Sequence, residues 1–335
     1  MSTERAEVSI TLGPEFRDAV ETTLLPALED GLLKADCRFQ DDPPDLETVM
    51  ERLARASAAV VGTESIPRSV IEASESLEII CCSGTGTDGI DHEAAKKHGV
   101  WVTHVPDGNT LAVAEYTVAL LFDRLRHVSA SCAAVREGRW PLMVGSSFAS
   151  ITVGIVGFGR IGRTVARLLE PLGMSLLVYD VVAPSSGSSS PAVSVVELDT
   201  LLRRSDAILL HVPLTAQTAG LISRREVDKM ELQPILINVA RGGVVDTVAL
   251  EEALRRGQIR SAALDVFAEE PLPLDNPLRS FPTDRLLLLP HAAAATAEAS
   301  ARTIETVRDQ LLAWSRGEIP KYSVVTGKRR GRYAI

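Results

Sequence analysis

Residues Ile151–Gly162 read ITVGIVGFGRIG, and the fold is decided here. Ile151–Val156 is a short apolar run of strand character, and it ends directly in Gly157-x-Gly159-x-x-Gly162. The following residues, Arg160–Leu169, have helical spacing, with Ile161, Val165, Leu168 and Leu169 on one face. Each glycine has its own physical task. Gly157 permits a tight turn, Gly159 lets backbone approach a pyrophosphate, and Gly162 lets the helix pack against the strand. The first residues of the helix, Arg160 and Ile161, then present amide groups and the positive dipole end to the phosphates. Glycines at this spacing are weak evidence alone; a strand before, a helix after and an acid at the next strand end make them specific. That acid is Asp180, which closes the run LLVYD 18 residues after Gly162. A carboxylate there accepts hydrogen bonds from ribose hydroxyls and repels a 2′-phosphate. Val181 and Val182 beside it supply no arginine to hold such a phosphate. The pattern predicts NAD rather than NADP.

Working outward, apolar runs recur at Ser175–Asp180, Ala207–Val212, Pro234–Val239, Arg260–Phe267 and Leu286–Leu289, with a weaker one at Val193–Val196. Helical patterns at Leu198–Arg204 and Thr247–Arg256 lie between them. Continuously apolar strands alternating with helices predict a doubly wound parallel sheet covered on both faces, an α/β fold. Upstream, Ser57–Val61 and Leu77–Cys82 read as buried strands around a short helix at Pro67–Ser74. Thr110–Arg126 reads as a long helix after the turn residues Asp107–Asn109, and it is the expected passage from one domain to another. Ala297–Arg316 reads as a last helix, Ala183–Pro191 as a surface loop, and Lys328, Arg329, Arg330 and Arg332 as a solvated basic end.

The chain has 335 residues, 45% hydrophobic and 24% charged, the profile of a globular protein of two domains. A net charge of −9 argues against a nucleic-acid partner, which needs a basic face. Cys37, Cys81, Cys82 and Cys132 have no CxxC or Cys/His ligand spacing, so neither a metal site nor a disulfide framework is expected, and a reducing cytoplasm is. The N-terminus has no signal-peptide pattern. No apolar run is long enough to span a membrane; the best, Leu111–Phe122, contains Glu115.

In open α/β sheets ligands bind beyond the carboxyl ends of the strands. Three ionisable residues follow the later strands: Arg241 in INVARGGVVD, Glu270 in ALDVFAEEPLP and His291 in LLLLPHAAAAT. Singly, each has an ordinary explanation: a surface ion pair, a turn residue before Pro271, a core histidine after Pro290. Together, beside a dinucleotide turn, they are what carbonyl reduction requires. A guanidinium stabilises the oxygen that gains negative charge as hydride arrives. A histidine delivers the proton, and a carboxylate orients its ring and favours the protonated form. Gly242–Gly243 next to Arg241 suggests a close backbone approach.

Several blocks together resemble the D-isomer-specific 2-hydroxyacid dehydrogenase family. SGTGTDGID (Ser83–Asp91) is similar to its substrate loop, NTLAVAE (Asn109–Glu115) to the start of its interdomain helix, and VREGRW (Val135–Trp140) to its dimerisation arm. HVPLTAQTAGLI (His211–Ile222), NVARGGVVD, DVFAEEP and PHAAAAT resemble its later blocks. The resemblance implies a flavodoxin-like substrate domain at 1–107 plus 294–335, with a Rossmann NAD-binding domain at 108–293 inserted into it and the active site in the cleft between them. It implies a catalytic triad of Arg241, Glu270 and His291. It also implies a substrate carboxylate held by backbone at Thr85, Gly86 and Thr87, a reading that agrees with a glycine-containing turn acting as an anion nest. Asp265, with the backbone at Val239, would hold the nicotinamide amide, and Val212, Pro213 and Thr218 would line the adenosine side. A homodimer is expected from the arm.

The substrate expected is a small 2-oxo acid or D-2-hydroxy acid. Glu270 stands where formate dehydrogenases of this superfamily resemble one another in carrying glutamine, and Thr85 where phosphite dehydrogenases show lysine. VVGTESIPRS (Val60–Ser69) lacks the arginine that phosphoglycerate enzymes place after that strand, and the sequence ends before any regulatory C-terminal domain of the longer ones. Leu289 stands where the family often has threonine. The alternative from another class is an NAD(H)-sensing corepressor that binds peptides.

Overall fold

The computed structural model describes residues 6–31, 33–40, 44–182 and 192–328. The expected loop Ala183–Pro191 and the basic residues Arg329, Arg330 and Arg332 lie outside them. One compact unit takes Met1–Asn109 and Ala295–Ile335, and the other takes Thr110–Ala294.

The smaller unit is built on β1 (Glu7–Leu12), β2 (Lys34–Phe39), β3 (Ala58–Val61), β4 (Ile79–Cys82) and β5 (Trp101–Thr103). The larger holds β6 (Thr152–Val156), β7 (Ser175–Tyr179), β8 (Val193–Val195), β9 (Ala207–Leu210), β10 (Ile235–Asn238), β11 (Ser261–Leu264) and β12 (Leu286–Leu288), and β13 (Ser323–Val325) returns to the smaller. The smaller unit's order is β13-β5-β4-β3-β1-β2. Its first five strands are parallel in the flavodoxin-like order, and β13 adds an antiparallel edge. The larger unit's order is β12-β11-β10-β9-β6-β7-β8, all parallel. This is the Rossmann arrangement with one strand added, and the order reverses between β6 and β9.

The central strands are buried along their whole length, as Ile235–Asn238 and Ala207–Leu210 are, because helices cover both faces. Val165, Ala166 and Leu169 of the helix Arg160–Leu169 enter one core layer with Ile155, Leu209 and Ile237. Leu250, Ala253 and Leu254 of the helix Thr247–Arg256 enter the opposite layer. In the smaller unit Ile304, Val307, Leu311 and Trp314 of the helix Ala297–Ser315 pack on Val8, Ile10 and Val60.

Several strands end before their apolar runs do, most clearly β9 at Leu210, two residues early, and β11 at Leu264, three residues early. The apolar residues beyond them line the sheet's carboxyl edge instead. There the chain leaves the ladder to make the turns described below. Helices at Leu46–Leu53, His92–His98 and Val128–Arg136 were not anticipated. The first two carried legible caps: Asp45 accepts from the Thr48 amide and Asp91 from the Ala94 amide, each at 2.8 Å. Among the described residues no helix is long and apolar enough to cross a membrane.

Candidate active site

The dinucleotide turn is built as its glycines require. Gly157 has φ +96°, and a Cβ there would lie 2.6 Å from the His211 carbonyl oxygen. A Cβ on Gly162 would lie 2.1 Å from the Gly157 oxygen, so the helix Arg160–Leu169 approaches the turn as only glycine allows. Nothing stands within 4 Å of a Cβ built on Gly159, and no side chain caps the helix that starts at Arg160. A backbone that opens to a free face at a helix N-terminus fits a pyrophosphate.

Asp180 follows β7 and does structural work as well. Its Oδ2 accepts from the Phe158 amide at 2.7 Å and its Oδ1 from the Val182 amide at 2.9 Å. The carboxylate is thereby fixed against the glycine turn, with a lone pair on each oxygen still able to accept a ribose hydroxyl. Val212 lies against Gly157, its Cγ1 3.0 Å from a Cβ built there. Thr218 donates to the Pro213 oxygen at 2.5 Å and closes the turn after β9. Val239 is buried.

Arg241, Glu270 and His291 follow β10, β11 and β12, three adjacent strands of the parallel sheet. His291 Nδ1 and Glu270 Oε2 are 2.7 Å apart. Glu270 Oε1 accepts from the Phe267 amide at 2.8 Å, so both carboxylate oxygens are engaged and the ring is held from its Nδ1 side. Burial pushes the Glu270 carboxyl up; the hydrogen bond and charge of His291, the Phe267 amide and the Arg241 charge outweigh it and hold the group below its ordinary range. Arg241 Nη1 donates to the Ala240 oxygen at 2.7 Å.

Two further residues set this geometry. Asn238, the last residue of β10 and fully buried, donates to the Arg241 oxygen at 2.9 Å and accepts from the Ala240 amide at 3.0 Å. It folds the turn that carries Arg241. Its signal in the sequence was an amide side chain closing an apolar strand three residues before an arginine. Asp265 is 0% exposed and its two oxygens accept from the Ala292 and Ala293 amides at 2.9 and 2.8 Å. His291 itself has φ +57°, in the left-handed region that costs a non-glycine residue energy. The Asp265 carboxylate holds the two residues after it and so maintains that conformation. Burial pushes the Asp265 carboxyl up against the pull of those amides. The sheet edge admits the close approach suggested by Gly242: a Cβ there would lie 1.9 Å from the Phe267 carbonyl carbon.

In the smaller unit Thr85, Gly86 and Thr87 occupy the turn after β4, at that sheet's carboxyl edge. Among the described residues, the amides of all three have no acceptor within the protein. Three consecutive amides without an internal acceptor are available to an anion.

Residues 118–293 match the NAD binding domain of the D-isomer specific 2-hydroxyacid dehydrogenases. A glyoxylate reductase of Korarchaeum cryptofilum is 39% identical over 87% of this chain and 91% of its own. A D-3-phosphoglycerate dehydrogenase of Methanocaldococcus jannaschii is 38% identical over 82% of this chain, which spans about half (52%) of that relative's length. Among solved structures, a D-lactate dehydrogenase of Aquifex aeolicus complexed with NAD and lactic acid superimposes with a TM-score of 0.81 at 27% identity, over 96% of this chain and all (100%) of that one. The chain belongs to the D-isomer specific 2-hydroxyacid dehydrogenase family of NAD-dependent oxidoreductases.

Proposed function

We propose that this protein reduces small 2-oxo acids with an uncharged side chain to D-2-hydroxy acids, and that Arg241, Glu270 and His291 are its catalytic residues. The observation that carries the reading is the 2.7 Å contact between His291 and Glu270 at neighbouring strand ends, with the Arg241 charge acting on the same carboxylate. NADH supplies the hydride when bound. The Arg241 guanidinium takes the negative charge that develops on the carbonyl oxygen, and His291 gives that oxygen its proton from Nε2. Glu270 holds the ring at Nδ1 and stabilises the positive charge on it. The free amides of Thr85, Gly86 and Thr87 take the substrate carboxylate. Gly157, Gly159, Arg160, Ile161 and Gly162 receive the pyrophosphate, Asp180 the adenosine ribose, and Val212, Pro213 and Thr218 line the adenosine side. Asp265, with the Val239 backbone, receives the nicotinamide amide.

The smaller unit argues for an uncharged substrate side chain. The turn after β3, Gly62–Glu64, contains no lysine or arginine. The nearby cations are engaged: Arg68 pairs with Asp91 at 3.3 Å, and buried Arg52 donates to the Ile10 oxygen at 2.8 Å. A phosphoryl group would meet no free cation from these residues. The similarity to a glyoxylate reductase supports the same preference. The corepressor alternative has no comparable observation behind it.

We assign the assembly as a homodimer, on the segment that follows the helix Val128–Arg136. There Trp140, Leu142 and Val144 are 89%, 94% and 85% exposed, apolar surface that a second copy would cover. Four free thiols support a cytoplasmic location.

The test is NADH consumption with glyoxylate, hydroxypyruvate, pyruvate, phosphonopyruvate and branched or aromatic 2-oxo acids, with the mass in solution measured on the same preparation. Glyoxylate or hydroxypyruvate should have the highest kcat/KM. Preference for phosphonopyruvate would reject the uncharged class, and tight NADH binding without turnover on any acid would reject the reaction.

A further inference from the structure

The free amides of the Thr85–Thr87 turn are useful only if their peptide planes are fixed, and two histidines fix them. His104, the first residue after β5, places its Nδ1 2.9 Å from the Thr85 carbonyl oxygen. His92, at the start of the helix His92–His98, places its Nε2 3.1 Å from the Thr87 carbonyl oxygen. A carbonyl can only accept, so each ring nitrogen facing it carries the proton. The two histidines therefore donate from different ring positions: Nδ1–H in His104 and Nε2–H in His92.

In a trans peptide the C=O and the next N–H point in opposite directions. Holding the Thr85 carbonyl therefore aims the Gly86 amide away from His104. Holding the Thr87 carbonyl fixes the plane on the other side, so the peptide that carries the Thr87 amide lies between two pinned neighbours. The Ile90 amide also donates to the Thr87 oxygen, at 3.1 Å. His104 is itself rigidly seated. Its amide donates to the Tyr322 oxygen at 3.3 Å, its carbonyl accepts from buried Gln310 at 2.9 Å, and the Tyr322 ring meets its ring edge-on. His92 follows Asp91, whose side chain caps the helix through the Ala94 amide.

We propose that His104 and His92 are positioning residues for substrate binding: they orient the amides that receive the substrate carboxylate. The proposal rests on the reading of Thr85–Thr87 as the carboxylate site. Its consequence is a uniform effect on binding. Loosening the turn weakens the hold on substrate and transition state alike, which raises KM and leaves kcat unchanged.

The two donor positions give a selective test. Asparagine places its side-chain N–H where histidine has Nδ1, and glutamine places it where histidine has Nε2. With NADH saturating and the best 2-oxo acid varied, His104→Ala and His92→Ala should each raise KM about three- to tenfold, the worth of one hydrogen bond, with kcat within about twofold. The dissociation constant of NADH should not move. His104→Asn and His92→Gln should restore KM to within about twofold of the parent, whereas the exchanged pair, His104→Gln and His92→Asn, should not. Unchanged KM in the alanine variants overturns the proposal, as does equal rescue by matched and exchanged substitutions. Gly86→Pro, which deletes the amide itself, separates the two levels. Unchanged KM in that variant rejects the turn as the carboxylate site, and raised KM there with no effect at His104 or His92 rejects the positioning role alone.

Discussion

At the residue scale the chemistry concentrates on a proton. His291 is held at Nδ1 by a carboxylate whose other oxygen is tied to the Phe267 amide, so its Nε2 is the position left for exchange. General acid catalysis contributes about 10²–10⁴-fold, and His291→Ala should lose that much kcat in a steady-state assay with NADH binding intact. Near-parental turnover would remove His291 from the mechanism. Asp180 makes a second prediction. With two amides already on its oxygens it has a structural share, yet Val181 beside it is exposed and free to carry a cation. The pair Asp180→Ser/Val181→Arg should move the ratio of kcat/KM for NADPH over NADH upward by about tenfold or more, since it removes a charge repulsion and adds a phosphate partner. A ratio that stays put would assign Asp180 to the turn alone. Arg241, Glu270 and His291 were legible as candidates because each follows an apolar run, and parallel sheets put such residues on one edge. Asn238 left only a local signal, an amide side chain two and three residues before the groups it binds, and the holding action of Asp265 left none, because it acts on backbone 27 residues away.

At the scale of elements, the site is a set of turns whose spacing depends on two strands approaching at their ends. The turn after β10 and the turn after β11 touch through Gly242, where a Cβ would lie 1.9 Å from the Phe267 carbonyl carbon and 2.2 Å from its oxygen. Gly242→Ala must push apart the turns that carry Arg241 and Glu270. A displacement near 1 Å in such a site costs about 10²-fold, so kcat/KM should fall at least that far, with a lower Tm. Gly243→Ala is the matched control: its Cβ would meet only the end of the Leu214 side chain at 3.2 Å, and the effect should be far smaller. Equal effects would mean that backbone approach at Gly242 is not what spaces the turns. The doubled glycine announced that approach in the sequence, but its partner was invisible there. Element boundaries were similarly half legible. Periodicity found the strands of the larger unit, while the helix Val128–Arg136 was missed because it starts after His127, a residue in the left-handed conformation that no pattern of apolar residues reveals.

At the scale of the whole molecule, the two sheets differ in how openly the sequence displays them. Most of the larger unit's strands are continuous apolar runs beside a glycine motif, so its doubly wound parallel sheet could be anticipated. In the smaller unit β2 is half-exposed and charged, reading KADCRF, and gives no such signal. That unit also hides a titration that should govern the molecule's stability. Glu64 is 7% exposed in the turn after β3, and its Oε2 accepts from the Gly62 amide at 2.7 Å. Burial pushes its carboxyl up to about 7, against the pull of two amides and the Arg52 charge. An unfolded glutamate releases its proton near the ordinary value of 4.5, so between 4.5 and about 7 the folded chain holds a proton that the unfolded chain has lost. Stability from this group is therefore fully present below 4.5 and declines as pH rises to about 7, by a total on the order of 3 kcal/mol. Glu64→Gln keeps an acceptor for the Gly62 amide and abolishes the titration. Denaturant unfolding of parent and variant at pH 5 and pH 8 isolates the term, because all other titrations cancel in the difference. The variant should gain on the parent by a few kcal/mol between those two pH values, and a difference independent of pH would show that the Glu64 carboxyl titrates at its ordinary value.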